Sequence, residues 1–218
     1  MTGNKPQRRW DGAMNTASKV KICGLSRLED IGAVNLVLPD FIGFVFAPSR
    51  RRVDIKKAAA LKEKLDSRIG AVGVFVNEDI KNIAAIFEAG IIDMVQLHGD
   101  EDDGYIKRLK DACGCRIIKA AGVGETLPAL PVEADYLLFD TLSPHRGGAG
   151  KTFGWGVLKE YRGLPYFLAG GLSAENVEGA ARRLTPFCFD VSSGVETDGV
   201  KDAGKIEEFV NRVRKGGG

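Results

Sequence analysis

The chain reads as an α/β protein, a single (β/α)8 barrel. Three observations predict it. Eight short apolar runs recur at intervals along the chain. Most of these runs are rich in β-branched or aromatic residues and too short for helices, as strands buried on both faces are. The stretches between them carry helix formers and capping residues, and 218 residues suffice for one barrel domain. A doubly wound open sheet shares this alternation, and periodicity alone leaves that alternative open.

The eight strand runs are Val20–Cys23, Phe41–Phe46, Ile69–Val76, Asp93–Leu97, Arg116–Ala120, Tyr136–Asp140, Tyr166–Ala169 and Cys188–Val191. After the first, SRLEDIGAVNLVL opens with Ser26 and has Glu29 three residues on, a capping-box pattern. VDIKKAAALKEKL holds strong helix formers, and NEDIKNIAAIFEAG ends on Gly90, a C-terminal stop. DEDDGYIKRLKDA places acids first and bases late, which suits the helix dipole. The stretch after Ala120 allows only a short helical turn, because Pro128 and Pro131 interrupt it. A long glycine-rich loop, HRGGAGKTFGW, follows Asp140 and reads as a lid; its spacing to Lys151 is not that of a Walker motif. SAENVEGAARRL opens at Ser173, and DAGKIEEFVNRVRK closes the last unit.

Composition narrows the function. Lys and Arg total 31 against 29 Asp and Glu, so no strong charge argues for nucleic acid or a membrane surface. No apolar run approaches the ~20 residues that span a bilayer. Four cysteines, with Cys113 and Cys115 spaced unlike a CxxC motif, and only two histidines imply neither a disulfide framework nor a histidine-rich metal site. The expectation is a reduced, cytoplasmic protein. Residues 1–18 are polar, lack a signal-peptide core and read as an extension, with Met14 an alternative start; the barrel is expected over 19–215.

In such a barrel the chemistry gathers at the C-terminal strand ends. Gly170 and Gly171 follow the seventh strand, and Ser192, Ser193 and Gly194 follow the eighth. Glycine loops and helix-start amides at those two positions point to a phosphate site, with SSGVE starting a short extra helix. Asp140 is the one acid in YLLFD, and a partly desolvated carboxyl there suits a general acid; bracing the following loop is the plainer role. Asp190 points into the barrel by alternation, either to orient a substrate hydroxyl or to brace the mouth. Cys23 ends the first strand, as a buried hydrophobe or as a thiolate base if a cation lies near. Gly24 leaves room beside that thiol. Three arginines in APSRRRV form a cationic loop in which one guanidinium can clamp a carboxylate. Gln96 and His98 are two apart and share one side of the fourth strand.

The segments KICGLSRLEDIGAV, DFIGFVFAPSRRRV, VGVFVNED, VQLHGDED, LLFDT, GGAGKTFGW, FLAGGLSAENV and DVSSGVETDGVKD, in this order, resemble the phosphoribosylanthranilate isomerases of tryptophan biosynthesis. The resemblance runs from about Val20 to Val213. It implies a (β/α)8 barrel without metal or organic cofactor. The implied reaction is the Amadori rearrangement of N-(5-phosphoribosyl)anthranilate to 1-(2-carboxyphenylamino)-1-deoxyribulose 5-phosphate. Cys23 aligns with the family's general base, Asp140 with its general acid and Arg51 with the arginine that binds the anthranilate carboxylate. Gln96, His98 and Asp190 are assigned to the remaining substrate contacts. The implied partner is a small phosphosugar-anthranilate, in a monomer or homodimer, with no nucleic acid and no membrane. Three positions depart from the family pattern: Gly154 replaces Asp in KTFDW, Ala149 replaces Thr in GGTGK, and Arg52 stands where an aromatic is usual. The last leaves the register among Arg50, Arg51 and Arg52 open. Two rivals follow: the histidine-pathway isomerase, which carries aspartate at the Cys23 position, and a regulatory barrel that binds phosphate without turnover.

Overall fold

The computed structural model describes residues 18–141 and 154–216, and residues 1–17 of the N-terminal extension and 145–153 of the glycine-rich lid lie outside them. Eight parallel strands close into one barrel, with each strand paired to the next in sequence and the last to the first. They are β1 (Lys19–Cys23), β2 (Phe41–Val45), β3 (Gly70–Phe75), β4 (Met94–Leu97), β5 (Ile117–Val123), β6 (Tyr136–Thr141), β7 (Tyr166–Leu168) and β8 (Cys188–Val191). The helices are α1 (Leu28–Val37), α2 (Ile55–Lys64), α3 (Ile80–Glu88), α4 (Asp103–Cys113), α5 (Ala174–Ala181) and α6 (Ala203–Gly216). A small hairpin, β9 (Glu196–Thr197) with β10 (Val200–Lys201), leads from β8 into α6.

Period-two alternation sorts the strand residues into two apolar layers. Phe41, Val72, Met94, Ile118, Leu138, Phe167 and Cys188 fill the barrel interior. Their neighbours Ile22, Ile42, Ala71, Val95, Ile117, Phe139 and Phe189 face the helices. Interior parity carries on, toward the C-terminal strand ends, to Cys23, Gly43, Gln96, His98, Asp140 and Asp190. The polar mouth is therefore a continuation of the same alternation that builds the core.

The helix starts show local physical causes. Asp54, Asp79 and Asp102 cap α2, α3 and α4 by accepting hydrogen bonds from the amides of Lys57, Lys81 and Tyr105 at 2.7, 2.8 and 2.7 Å. Ser173 and Asn176 form the capping box of α5. Gly114, with φ +64°, ends α4 in the left-handed conformation.

Two expectations are corrected. The box that starts α1 is one residue later than Ser26 and Glu29. The buried Asp30 carboxylate accepts from the amides of Ser26 and Arg27 at 2.9 and 3.0 Å and from the Arg27 guanidinium, while Glu29 is exposed. The helical turn expected after Ala120 does not form. β5 runs on to Val123, where it pairs with Thr141, and the proline-bearing chain that follows is irregular. The Ser18 hydroxyl, just before β1, donates to the Pro186 carbonyl at 2.8 Å. Among the described residues no helix is long and apolar enough to cross a membrane.

Candidate active site

Strand register builds the β1 side of the mouth. β1 pairs with β8 so that Lys21 lies beside Asp190, and with β2 so that Cys23 lies beside Gly43. The Lys21 ammonium meets Asp190 Oδ1 at 3.0 Å, and both groups are buried. A side chain on Gly43 would put its Cβ 2.7 Å from Cys23 Sγ and 3.3 Å from Lys21 Nζ, so the missing side chain is what gives thiol and ammonium their space. Burial pushes the Cys23 thiol above its ordinary value; Lys21, by charge and by hydrogen bond, is the strongest opposing influence, with Lys201 acting the same way. Burial also works against the Lys21 ammonium, but Asp190 and Cys23 outweigh it and hold the amine protonated. Burial likewise raises the Asp190 carboxyl, against the pull of Lys21.

The opposite side forms from β4, β6 and the β7 loop. His98 Nε2 lies 3.6 Å from Asp140 Oδ2, and Gln96 Nε2 lies 3.0 Å from His98 Nδ1. The remaining Asp140 oxygen accepts from the Thr141 amide at 2.8 Å. Gly170, with φ +84°, is pressed against this group, since a Cβ there would stand 3.2 Å from Asp140 Oδ1 and 2.5 Å from Thr141 Oγ1. Gln96, His98 and Asp140 are thus brought together as one chain of polar groups. Lys119, within β5, has the opposite parity. Its ammonium reaches the Gly99 carbonyl at 2.7 Å and Glu101 at 3.2 Å, bracing loops outside the mouth.

The β7 and β8 loops meet. A Cβ on Gly194 would come within 1.9 Å of the Leu172 carbonyl oxygen, so only glycine permits the approach. Gly171 has φ +66°, and Ser193–Val195 form the short 3-10 turn expected of SSGVE. The Ser192 hydroxyl donates to the Cys23 carbonyl at 3.1 Å, tying this loop to the end of β1.

The arginine loop meets a carboxylate of the protein itself. Arg51 Nε and Nη2 grip the two oxygens of Glu196 at 2.6 and 3.0 Å, Arg50 joins at 2.6 Å and Lys201 at 2.8 Å. Burial works to raise the Glu196 carboxyl, yet the cations leave it below its ordinary value. Arg52 is exposed, and its backbone bridges to Val45. The space over Gly24 is not open: the aliphatic stem of Arg51 lies across it, 2.4 Å from where a Cβ would be. Arg51 is accordingly the arginine next to the Cys23 strand end. Lys21, Gly43, Glu196 and Lys201 went unread in the sequence. A lysine two residues before Cys23 was the one available signal for the first.

Among the described residues no three His, Cys, Asp or Glu side chains gather as metal ligands would.

Residues 20–212 match the family model described as N-(5'phosphoribosyl)anthranilate (PRA) isomerase. The N-(5'-phosphoribosyl)anthranilate isomerase of Endomicrobium trichonymphae is 49% identical over 197 residues, covering 90% of this chain and 98% of that one. The crystal structure of phosphoribosyl anthranilate isomerase from Thermus thermophilus superposes with a TM-score of 0.80 at 33% identity, covering 90% of this chain and 98% of that one. A phosphoribosyl anthranilate isomerase solved with reduced 1-(o-carboxyphenylamino)-1-deoxyribulose 5-phosphate has a TM-score of 0.76 at 31% identity, covering 91% and 99%. This chain, a closed eight-stranded barrel with Cys23 and Asp140 at its mouth, belongs to the phosphoribosylanthranilate isomerase family.

Proposed function

We infer that the protein isomerises N-(5-phosphoribosyl)anthranilate to 1-(2-carboxyphenylamino)-1-deoxyribulose 5-phosphate in tryptophan biosynthesis, by general acid–base catalysis. The observation that carries the mechanism is the shared interior parity of Cys23 and Asp140, on β1 and β6 of one closed barrel. In this reading Asp140 protonates the ribose ring oxygen, and the ring opens to a protonated Schiff base. The Cys23 thiolate removes the proton from C2, leaving an enolamine that tautomerises to the ketone. Ring opening needs an acid and C2 deprotonation needs a base, so two separated groups suffice. Backbone amides around Gly170, Gly171, Ser192, Ser193 and Gly194 hold the phosphate, and Arg51 holds the anthranilate carboxylate. Fixing both ends sets the reacting carbons between acid and base. His98, Gln96 and Asp190 line the space between; the buried Gln96 amide oxygen has no protein partner, and a ligand donor would satisfy it. The barrel over 19–215 serves as the whole catalytic domain. Four unpaired cysteines support a cytoplasmic setting.

Turnover is measured by the loss of anthranilate fluorescence when phosphoribosylanthranilate is added to purified protein. No loss, with turnover of the histidine-pathway aminoaldose instead, would replace this reading by the rival isomerase. Inorganic phosphate is expected to inhibit competitively, raising KM and leaving kcat unchanged, because the β7 and β8 loops offer an anion site. Inhibition that lowers kcat alone would remove those loops from phosphate binding.

A further inference from the structure

The buried ion pair under the thiol is not required by the acid–base chemistry itself. Burying two charges is costly, and a pair used only as a brace would be replaceable by apolar residues. Three facts set this pair apart. The β1–β8 register seats Lys21 beside Asp190, 3.0 Å apart, with side-chain exposures of 0% and 7%. Lys21 and Cys23 are two apart on one strand and face the same interior space, which Gly43 leaves empty of a side chain. Lys21 Nζ and Cys23 Sγ border the same space, 3.3 and 2.7 Å from where a Cβ on Gly43 would stand, and the ammonium meets Asp190 on its other side, so thiol, amine and carboxylate lie side by side.

We propose that Lys21 and Asp190 together act as a positioning pair for the base: Lys21 favours the Cys23 thiolate, Asp190 opposes it, and their balance sets how readily the thiol releases its proton. The proposal deepens the reading of Cys23 as general base and rests on it. Other charges face the same groups. Lys201 approaches Cys23 from β10 but is held by Glu196 at 2.8 Å and the Ser192 carbonyl at 2.8 Å. Asp140 and His98 face Asp190 across the mouth. Lys21 is the cation with the strongest hold on the thiol, and Asp190 is the largest charge working against it.

A brace and a tuning pair differ in sign. Removing either half of a brace perturbs Cys23 in the same sense. Removing the two halves of a tuning pair moves Cys23 in opposite directions. The measurement is the pH dependence of iodoacetamide alkylation of Cys23, followed by peptide mass spectrometry in wild type, Lys21→Met, Asp190→Asn and the double variant. Peptide resolution separates Cys23 from Cys113, whose thiol is lowered by the neighbouring Cys115. The alkylation midpoint is expected to rise by about one pH unit in Lys21→Met and to fall by about as much in Asp190→Asn, with the double variant between. Shifts in the same direction, or none, in variants with native near-ultraviolet circular dichroism overturn the proposal. If Lys21→Met fails to fold, the comparison of Asp190→Asn with the double variant decides: the midpoint must fall in the first and rise again in the second. Alkylation does not depend on turnover. Opposite shifts in a protein whose Cys23→Ala variant retains wild-type kcat would leave the pair intact and sink the base assignment instead.

Discussion

Replacing Cys23 by alanine is expected to lower kcat by about 100- to 10,000-fold, the usual contribution of a positioned proton-transfer group, and Asp140→Asn to do the same. Neither change should unfold the protein. Cys23 is a small side chain at a strand end, and asparagine keeps the Asp140 oxygen that accepts from Thr141. The two effects should not multiply in full, because both groups serve one reaction coordinate. The pH profile gives the assignment a second test. The base must be deprotonated, and burial pushes the Cys23 thiol above its ordinary value, so raising the pH is expected to increase the thiolate. The sign follows: kcat/KM should climb by about tenfold per pH unit through neutrality and level off only in the alkaline range. Fluorescence-based turnover from about pH 6 to 10 reads this directly. Wild-type kcat in Cys23→Ala, or a flat profile, would remove Cys23 from the role.

Gly43→Ala is expected to be almost as damaging, although the added methyl touches no substrate. Its Cβ would stand 2.7 Å from Cys23 Sγ, closer than real Cβ atoms come, and 3.2 Å from Cys23 Cα, a tight contact with backbone that cannot swing away. The thiol has to move. A displacement of about 1 Å at a reacting group costs about 100-fold in rate, so kcat should fall by that order. KM should change little, because Arg51 and the β7 and β8 loops are untouched. Overpacking should also cost about 1–3 kcal/mol of stability, visible as a lower melting temperature. An unchanged kcat in a destabilised protein would mean that the base tolerates displacement and that the empty space at Gly43 serves packing alone.

The eight strands were legible in the sequence because burial on both faces leaves a local, continuous apolar signal. Their ends were legible too, which located Cys23, Gln96, His98, Asp140 and Asp190 at the mouth. The helix starts read less well. The α1 box shifted to Asp30 because two carboxylates next to each other, Glu29 and Asp30, both suit the pattern, and burial chose between them. The run after β5 lost its helical turn to a longer strand, whose pairing partner Thr141 lies 18 residues from Val123 and leaves no local trace.

What the sequence by itself determined about this protein is the eight strands, the alternation of their side chains and the placing of Cys23 and Asp140 at strand ends, since each follows from a period of two within a few residues; the roles of base and acid for these two came from the family resemblance. The tertiary structure alone decided how those groups are served. Lys21 meets Asp190 across 169 positions of chain, and Arg51 meets Glu196 across 145. Only the closure of β1 onto β8 and the return of the β8 hairpin over the arginine loop bring them together. A lysine in a strand or a glutamate after SSGV is one of many charges until the register names its partner. The room beside Cys23 is the same kind of case. Gly24 was expected to provide it, yet Arg51 lies over Gly24, and the space is supplied by Gly43 on the neighbouring strand.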